Sequence, residues 1–313
     1  MAIVGRLAPS PTGHLHLGHA RSFLLAWWSV RSQGGRLVLR IEDLDSHRSQ
    51  SQYIDACLRD LEWLGLDWDV GPRLQSEGLA RILHCADQLE KAGLAYACVC
   101  SRRDVQASLS APHHDDKEFR YPGTCRDRFA SLQVANTYSG NSACLRFRVP
   151  PEPVTVDDSL TGPQLFDVAH EVGDFPILRR DQSPAYQLAV VVDDLHDGIT
   201  EVLRGDDLLP SAARQQLLYG ALGFQPPRWV HVPLVVDSHG RRLAKRTDAL
   251  SLAALRQRGV RPRDIVAWVA SSIGVETNEI RDAHDVTSSF SLARVGIEPV
   301  GVLADMFPTL EQR

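Results

Sequence analysis

The stretch Arg6-Leu7-Ala8-Pro9-Ser10-Pro11-Thr12-Gly13-His14-Leu15-His16-Leu17-Gly18-His19 decides how the chain folds. Ile3-Val4 and Leu7-Ala8 form a short apolar run, Pro9 and Pro11 end it, and Gly13 permits a turn. From Gly18 the spacing becomes helical, with Ala20, Phe23, Leu24, Trp27 and Trp28 on one stripe. The expectation is strand, turn, helix. His16 and His19 stand three apart at the helix entrance and share a face. Unpaired N–H groups and the positive end of the helix dipole lie beside them, which suits an anion and above all a phosphate. Gly18 would let a nucleotide approach the backbone closely. Two histidines can also merely cap a helix, but so long a pattern rarely arises idly. Downstream, Gly34-Gly35 makes a stop, and Arg36-Leu37-Val38-Leu39-Arg40-Ile41 reads as a second strand. Strand, helix and strand in so short a span imply parallel strands with a right-handed crossover. Glu42 and Asp43 then fall on the same sheet edge as His16, where ligands of open α/β sheets bind. They can equally cap the next helix.

With 313 residues, 43% of them hydrophobic, the chain can bury a substantial core in two or three modules. A net charge of −5 does not mark a nucleic-acid binder, although a local basic patch could serve. No charged start followed by a long apolar run marks a secretory signal, and no apolar stretch is long enough to span a bilayer. A cytoplasmic protein without membrane contact is expected, and nothing suggests an obligate oligomer, so a monomer is the expectation. Six cysteines in such a chain point to reduced thiols or metal ligands. Cys57 and Cys85 lie on apolar helical stripes at about 50–65 and 77–92 and belong to the core. Cys144 opens an alternating strand and has no assigned chemistry. Cys98 and Cys100, one residue apart on an extended segment, present two sulfurs to the same side. Cys125, after a Pro-Gly turn, supplies a third. Zinc takes four tetrahedral ligands in structural sites, and Tyr121, Asp127, His113 and His114 are candidates for the fourth.

Further along, strands are expected at Leu145–Val149, Val154–Asp157 and Phe175–Arg179. Tyr186-Gln187-Leu188-Ala189-Val190-Val191-Val192-Asp193-Asp194 reads as a buried parallel strand ending in two acids. Trp229–Val236 reads as another strand, followed by a turn and the basic run Arg241-Arg242-Leu243-Ala244-Lys245-Arg246-Thr247. Helical segments run from Ser251 to Gly259 and from Pro262 to Ser272. Arg256, Arg258, Arg261 and Arg263 around their junction are either a solvated turn or a contact for nucleic-acid phosphates.

The Leu15-His16-Leu17-Gly18-His19 element resembles the His-Ile-Gly-His motif of class I aminoacyl-tRNA synthetases, and Arg6 to Ser10 resembles the Arg-Phe-Ala-Pro-Ser form of glutamyl enzymes. Arg40-Ile41-Glu42-Asp43-Leu44-Asp45, Tyr186 to Asp194, and Val202-Leu203-Arg204-Gly205-Asp206-Asp207-Leu208 follow in that family's order. Leu243-Ala244-Lys245-Arg246 is similar to the Lys-Met-Ser-Lys-Ser loop, although Arg242 replaces the first lysine and Ala244 and Arg246 replace the serines. Lost hydroxyls leave the loop's positioning in question, while its charge still suits a leaving pyrophosphate. The resemblance implies an α/β, Rossmann-type catalytic domain from residues 1–95 and 143–240. It further implies a zinc-bearing insertion at 96–142 and a catalytic loop with a short helical stem-contact part at 241–313. It implies glutamate binding by Arg6, Ala8, Ser10, Glu42, Tyr186 and Arg204, with Glu42 meeting the ammonium. ATP is implied at His16, Gly18, His19 and Lys245, with magnesium, and His16, His19 and Lys245 are the implied catalytic residues. The spacing of Tyr121 and Cys125 after Cys98 and Cys100 matches a structural zinc site in the truncated relatives.

Only 68 residues follow Lys245, too few for an anticodon-binding region. The chain therefore most resembles the short paralogues, the glutamyl-queuosine tRNA(Asp) synthetase family. That family activates glutamate without tRNA and esterifies it to queuosine at the wobble position of tRNA(Asp). The rival expectations are a truncated glutamyl-tRNA synthetase that charges a tRNA 3′ end, and an idle tRNA- or partner-binding module.

Overall fold

The computed structural model describes residues 2–45, 47–107, 120–140, 142–243, 250–302 and 306–307. The chain opens with β1 (Val4–Leu7), α1 (Leu17–Arg31) and β2 (Arg36–Ile41), the expected βαβ unit, with β1 and β2 parallel and Arg6 opposite Val38. Next come α2 (Ser51–Trp63), β3 (Val70–Leu74) parallel to β2, α3 (Leu79–Lys91), β4 (Ala95–Cys98) and α4 (Arg102–Ala107). After α5 (Leu132–Ser139) and β5 (Cys144–Phe147), β6 (Val154–Asp158) and β7 (Gly162–Phe166) form a hairpin, followed by α6 (Val168–Glu171) and β8 (Pro176–Leu178). The second half of the parallel region is α7 (Tyr186–Asp197), β9 (Glu201–Gly205), α8 (Leu209–Ala221) and β10 (Arg228–Val232). Then follow β11 (Val235–Val236), α9 (Leu252–Gln257), α10 (Pro262–Ser271) and β12 (Val300–Gly301).

Two sheets, ordered β1-β2-β3 and β7-β6-β10-β9, meet where the Thr200 N–H donates to the Val4 carbonyl at 2.9 Å. The strands therefore run β3-β2-β1 and then β9-β10-β6-β7, and the parallel members point their carboxyl ends to one edge. A Cβ on Gly5 would sit 2.4 Å from Val30 Cγ2, so only glycine lets β1 pass this close beneath α1. Alternation along the strands sends Leu7, Leu37, Leu39 and Ile41 into the core around α1, and Val4 and Val38 into the core shared with α3, α7 and α8. Trp27 and Trp28 are wholly buried, and their indole N–H groups donate to Asp67 Oδ1 at 2.9 Å and to the Ala283 carbonyl at 2.8 Å. Leu252, Leu255, Ile265, Val266 and Val269 of α9 and α10 join the same core, which ties the last third of the chain to α1. A separate antiparallel sheet, β4-β5-β8, carries the cysteine-bearing insertion.

Two expectations need correction. Residues 186–194 are not a strand but most of helix α7. Every residue from Gln187 to Asp194 is buried, so the helix has no polar face to betray its period, and a run of valines imitates a strand. Gly198, at φ 68°, ends the helix in the left-handed conformation. Trp229–Val236 is not one strand either. Pro233 separates β10, paired with β9 and β6, from β11, paired with β12. Proline has no N–H to give a ladder, and the Pro233 carbonyl instead accepts from Nη1 of the buried Arg21 at 2.8 Å. Strands β3 and β7 were not anticipated; Gly71 and Pro72 disguise the first. Strands β9 and β12 and helices α4, α5, α6 and α8 were not anticipated either, and the remaining elements fall within a few residues of their expected places.

Candidate active site

The carboxyl ends of β1, β2 and β9 and the first turns of α1 and α7 enclose a cleft of ≈ 400 Å³. Arg6, Ala8, Ser10, His16, Gly18, His19, Glu42, Tyr186 and Arg204 all line it. Lys245, with Ala244 and Arg246, lies outside the described residues. On either side of them, Leu243 lines the cleft, and Ser251 forms an antiparallel bridge with His16. Arg242, also at the cleft, holds Asp207 at 2.6 Å.

His16 is the N-cap of α1. Its Nδ1 accepts from the Gly18 N–H at 3.1 Å, while His19 Nδ1 accepts from the His16 N–H at 3.1 Å. This reciprocal cap has the logic of a capping box built from two imidazoles. Because both Nδ1 atoms accept, each neutral ring carries its hydrogen on Nε2, the donor suited to a phosphate oxygen. The rings lie 3.8 Å apart between centroids. Capping and anion binding are therefore compatible: Nδ1 of each ring serves the cap, and Nε2 carries the hydrogen suited to an anion. A Cβ on Gly18 would stand 3.0 Å from His16 Cε1, so the glycine first of all makes room for that ring.

On the opposite wall, strand alternation directs Arg6, Arg40 and Glu42 toward α7. Arg40 is 2% exposed, and its guanidinium reaches Asp194 at 2.8 Å, Asp197 at 3.3 Å and Glu42 at 3.4 Å. Arg6 Nε stands 3.6 Å from Asp194, and Arg73 also pairs with Asp197. On the same helix, Asp193 receives Arg81 at 2.9 Å and Gln75 at 2.8 Å. The acids read as a strand tip, Asp193 and Asp194, are thus the buried counter-charges of arginines from β1, β2 and α3. Burial pushes the Glu42 carboxyl above its usual range, with Arg40 and Arg6 opposing the shift. Burial likewise raises the phenol of Tyr186, which stays protonated and able to donate. Burial alone would lower the pKa of Arg40, but Asp194 and Glu42 outweigh it and the net shift is upward.

Arg204, 6% exposed on β9, donates from Nε to His231 Nε2 at 3.0 Å and from Nη2 to the Leu208 carbonyl at 3.3 Å. Its Nη1 is buried without a hydrogen-bond partner, and Arg6 Nε also makes no hydrogen bond, having only the longer ion pair with Asp194. Unsatisfied buried donors of this kind mark a place for an acceptor. Sequence reasoning missed Arg40, Asp194 and His231. The available signal for Arg40 was an arginine inside an otherwise apolar strand.

In the insertion, the sulfurs of Cys98, Cys100 and Cys125 all lie within 4.8 Å of one another, with Cys100 and Cys125 3.5 Å apart. Tetrahedral zinc with bonds of about 2.3 Å sets its sulfurs about 3.7 Å apart, so the cluster can hold a metal ion. Tyr121 Oη sits 3.3 Å from Cys98 Sγ and 3.8 Å from Cys100 Sγ. Asp127 is instead committed to Arg148 at 2.9 Å, and His113 and His114 lie outside the described residues. Cys144 is not idle: it faces Cys98 across the β4–β5 ladder, and its proximity is the main influence that draws the Cys98 thiol below its usual range. Of the arginine cluster, Arg256 pairs with buried Asp60 at 3.1 Å and Arg261 with Asp264 at 2.9 Å, so half of it is already neutralised. No helix among the described residues is long and apolar enough to cross a membrane.

The family model for tRNA synthetases class I (E and Q), catalytic domain, matches residues 2–298. A glutamyl-Q tRNA(Asp) synthetase of Nitratidesulfovibrio vulgaris is 40% identical over 99% of this chain and 98% of its own length. One from Rhodopirellula baltica is 45% identical over 87% of this chain and 85% of its own. Among solved structures, a glutamate tRNA ligase from Elizabethkingia meningosepticum, in complex with its amino acid, superposes with a TM-score of 0.84 at 26% identity, covering 98% of this chain and 68% of that one.

Proposed function

Since the chain belongs to the class I tRNA synthetases of the E and Q type, and is thus a ligase, we propose that it activates L-glutamate with ATP in the absence of tRNA and transfers it to queuosine at the wobble position of tRNA(Asp). The observation that carries the amino-acid choice is the wall of the cleft. Two buried arginines, Arg6 and Arg204, line it beside the carboxylate of Glu42, and Nη1 of Arg204 has no hydrogen-bond partner. Glutamate brings two carboxylates and one ammonium, and that is the complementary set. Arg6 already shares Asp194, whereas Arg204 has no carboxylate within ion-pair distance among the described residues. Glu42 answers the ammonium, and Tyr186 donates a hydrogen bond.

No protein nucleophile is required, because the substrate carboxylate is already ionised. Its oxygen attacks the α-phosphorus of ATP, the bond to the β-phosphate oxygen breaks, and pyrophosphate leaves. The chain contributes positioning and charge stabilisation. The Nε2–H groups of His16 and His19, preset by the shared cap, hydrogen-bond the phosphate oxygens, and Lys245 holds the departing pyrophosphate. Magnesium accompanies the nucleotide and neutralises phosphate charge when bound. Zinc on Cys98, Cys100, Cys125 and Tyr121 shapes the insertion and takes no part in the chemistry. In the second step a hydroxyl of the acceptor diol attacks the glutamyl carbonyl, losing its proton, and AMP leaves.

Queuosine is favoured over a tRNA 3′ end by the relatives named glutamyl-Q tRNA(Asp) synthetase, at 40% and 45% identity. The proposal extends to the division of labour along the chain: residues 1–95 and 143–240 for catalysis, 96–142 for zinc, and 241–313 for the loop and stem contact. The test is transfer of labelled glutamate to tRNA(Asp) with and without queuosine. Labelling only of the modified tRNA is expected, and label on the 3′ end of unmodified tRNA(Glu) would favour the truncated-synthetase reading.

A further inference from the structure

Arg204, His231 and Asp158 come from three neighbouring parallel strands, with His231 in register opposite Arg204 and β6 on the other side of β10. Asp158 Oδ2 accepts both the His231 backbone N–H at 2.9 Å and the ring Nδ1 at 2.8 Å. Its Oδ1 accepts the Leu160 and Thr161 N–H groups, each at 3.0 Å, and the Thr161 hydroxyl at 3.1 Å. A carboxylate held by so many donors can only accept, so His231 Nδ1 must be the donor. The opposite nitrogen, Nε2, is then an acceptor, and Arg204 Nε donates to it.

We infer that Asp158 and His231 are positioning residues that aim Arg204 at the carboxylate of the amino-acid substrate and keep its charge uncompensated until that substrate arrives. The inference rests on the assignment of this cleft to glutamate. Nε and Nη2 of Arg204, the side-on edge of the guanidinium, are taken by His231 and the Leu208 carbonyl, and the Trp229 ring lies 5.2 Å from Cζ. The fork cannot turn, Nη1 has no hydrogen-bond partner, and Arg204 lines the cleft. A neutral imidazole is the partner that fixes an arginine without cancelling its charge. A carboxylate in the same place would pair with Arg204 in the empty site and remove the reason to prefer a charged side chain over an amide. Burial lowers the pKa of His231, and Asp158 stays below the usual carboxylate range because its hydrogen bonds outweigh its burial. Both shifts keep the pair in the neutral–anionic state that the geometry needs.

The test compares His231→Leu, His231→Gln, Asp158→Asn and Arg204→Leu in glutamate-dependent pyrophosphate exchange on the full chain, alongside thermal melts. His231→Leu is expected to raise KM for glutamate about 10- to 100-fold, the scale of a lost hydrogen bond to a charged group, and to erode the preference over glutamine equally. KM for ATP should move less than about threefold, since His231 does not line the nucleotide side. His231→Gln, whose side-chain oxygen can accept from Arg204, should recover part of the loss. Asp158→Asn, which frees the ring to take the other tautomer, should resemble His231→Leu. An unchanged KM for glutamate in His231→Leu, or Leu and Gln variants that lose both substrates in parallel with melting temperature, would overturn the positioning role. If Arg204→Leu also leaves KM for glutamate unchanged, the glutamate assignment itself fails. ¹⁵N NMR of histidine-labelled wild-type protein at pH 7 needs no variant to fold. A neutral His231 protonated at Nδ1 supports the inference, and an imidazolium or the Nε2–H tautomer contradicts it.

Discussion

Replacing Arg40 by methionine keeps the volume and removes the charge beneath the amino-acid wall. The side chain is 2% exposed and its three partners, Asp194, Asp197 and Glu42, are 1%, 3% and 9% exposed. Removing one partner of a buried ionic network costs about 3–5 kcal/mol, because the remaining charges are left uncompensated. Arg6 still faces Asp194 and Arg73 still holds Asp197, which puts the expected loss near the lower end, about 3 kcal/mol. Against a total stability of about 5–15 kcal/mol this is a large fraction. The loss should depend on pH in a definite direction. Arg40 is the strongest influence opposing the rise of the Glu42 pKa by burial, so without it that pKa climbs further. A group raised in the folded state favours folding below its unfolded value and loses that contribution as pH rises through the folded value. The deficit of Arg40→Met should therefore be full at pH 7.5 and shrink as pH falls toward about 4.3. Urea unfolding of wild type and variant at pH 7.5 and pH 5 measures it. A deficit below about 1 kcal/mol, far under the buried-pair range, or one equal at both pH values, would refute the idea of a buried ionic floor.

Other consequences follow from the same geometry. Lys245→Ala should lower pyrophosphate exchange by about two to three orders of magnitude while equilibrium binding of glutamate persists; near-wild-type exchange would remove Lys245 from the chemistry. His16→Asn keeps a side-chain acceptor for the helix cap and deletes the Nε2 donor, so kcat should fall with little change in melting temperature. His16→Ala should lose about a further 1 kcal/mol of stability through the cap. KM for glutamate should rise as pH falls through the raised pKa of Glu42, because the protonated acid no longer meets the ammonium. The rise should begin above the ordinary glutamate value of about 4.3, and Glu42→Gln should abolish that pH dependence. Elemental analysis should find one zinc per chain, and Cys125→Ser should weaken its retention during chelation. Metal-free protein with an unchanged melt would contradict a structural zinc.

The histidine side of the cleft was legible because proline, glycine and a change of period sit next to one another in the sequence. Pro9, Pro11 and Gly13 announce the turn, and the spacing of His16 and His19 already implies the shared helix entrance. The arginine-lined side was legible only as separate residues. Arg6, Glu42 and Arg204 carried a family resemblance, but what holds them does not follow from local pattern. Helix α7 hides its period because both of its faces are buried, and its acids look like a solvated strand tip until β2 supplies Arg40. The signal at its end, Gly198 in the left-handed conformation, was present and unread. His231 and Asp158 lie 73 residues apart and meet through the order of strands in the sheet. No spacing rule reaches across that distance. Cys144 was legible as a strand residue, while its place opposite Cys98 depends on the β4–β5 register.

The most direct test of the central claim is exchange of labelled pyrophosphate into ATP by the purified protein with no tRNA present. With glutamate the label should enter ATP, and with glutamine in its place it should not. Exchange that requires tRNA, that glutamine supports equally, or that never occurs would contradict a cleft built to join a dicarboxylic amino acid to the α-phosphate.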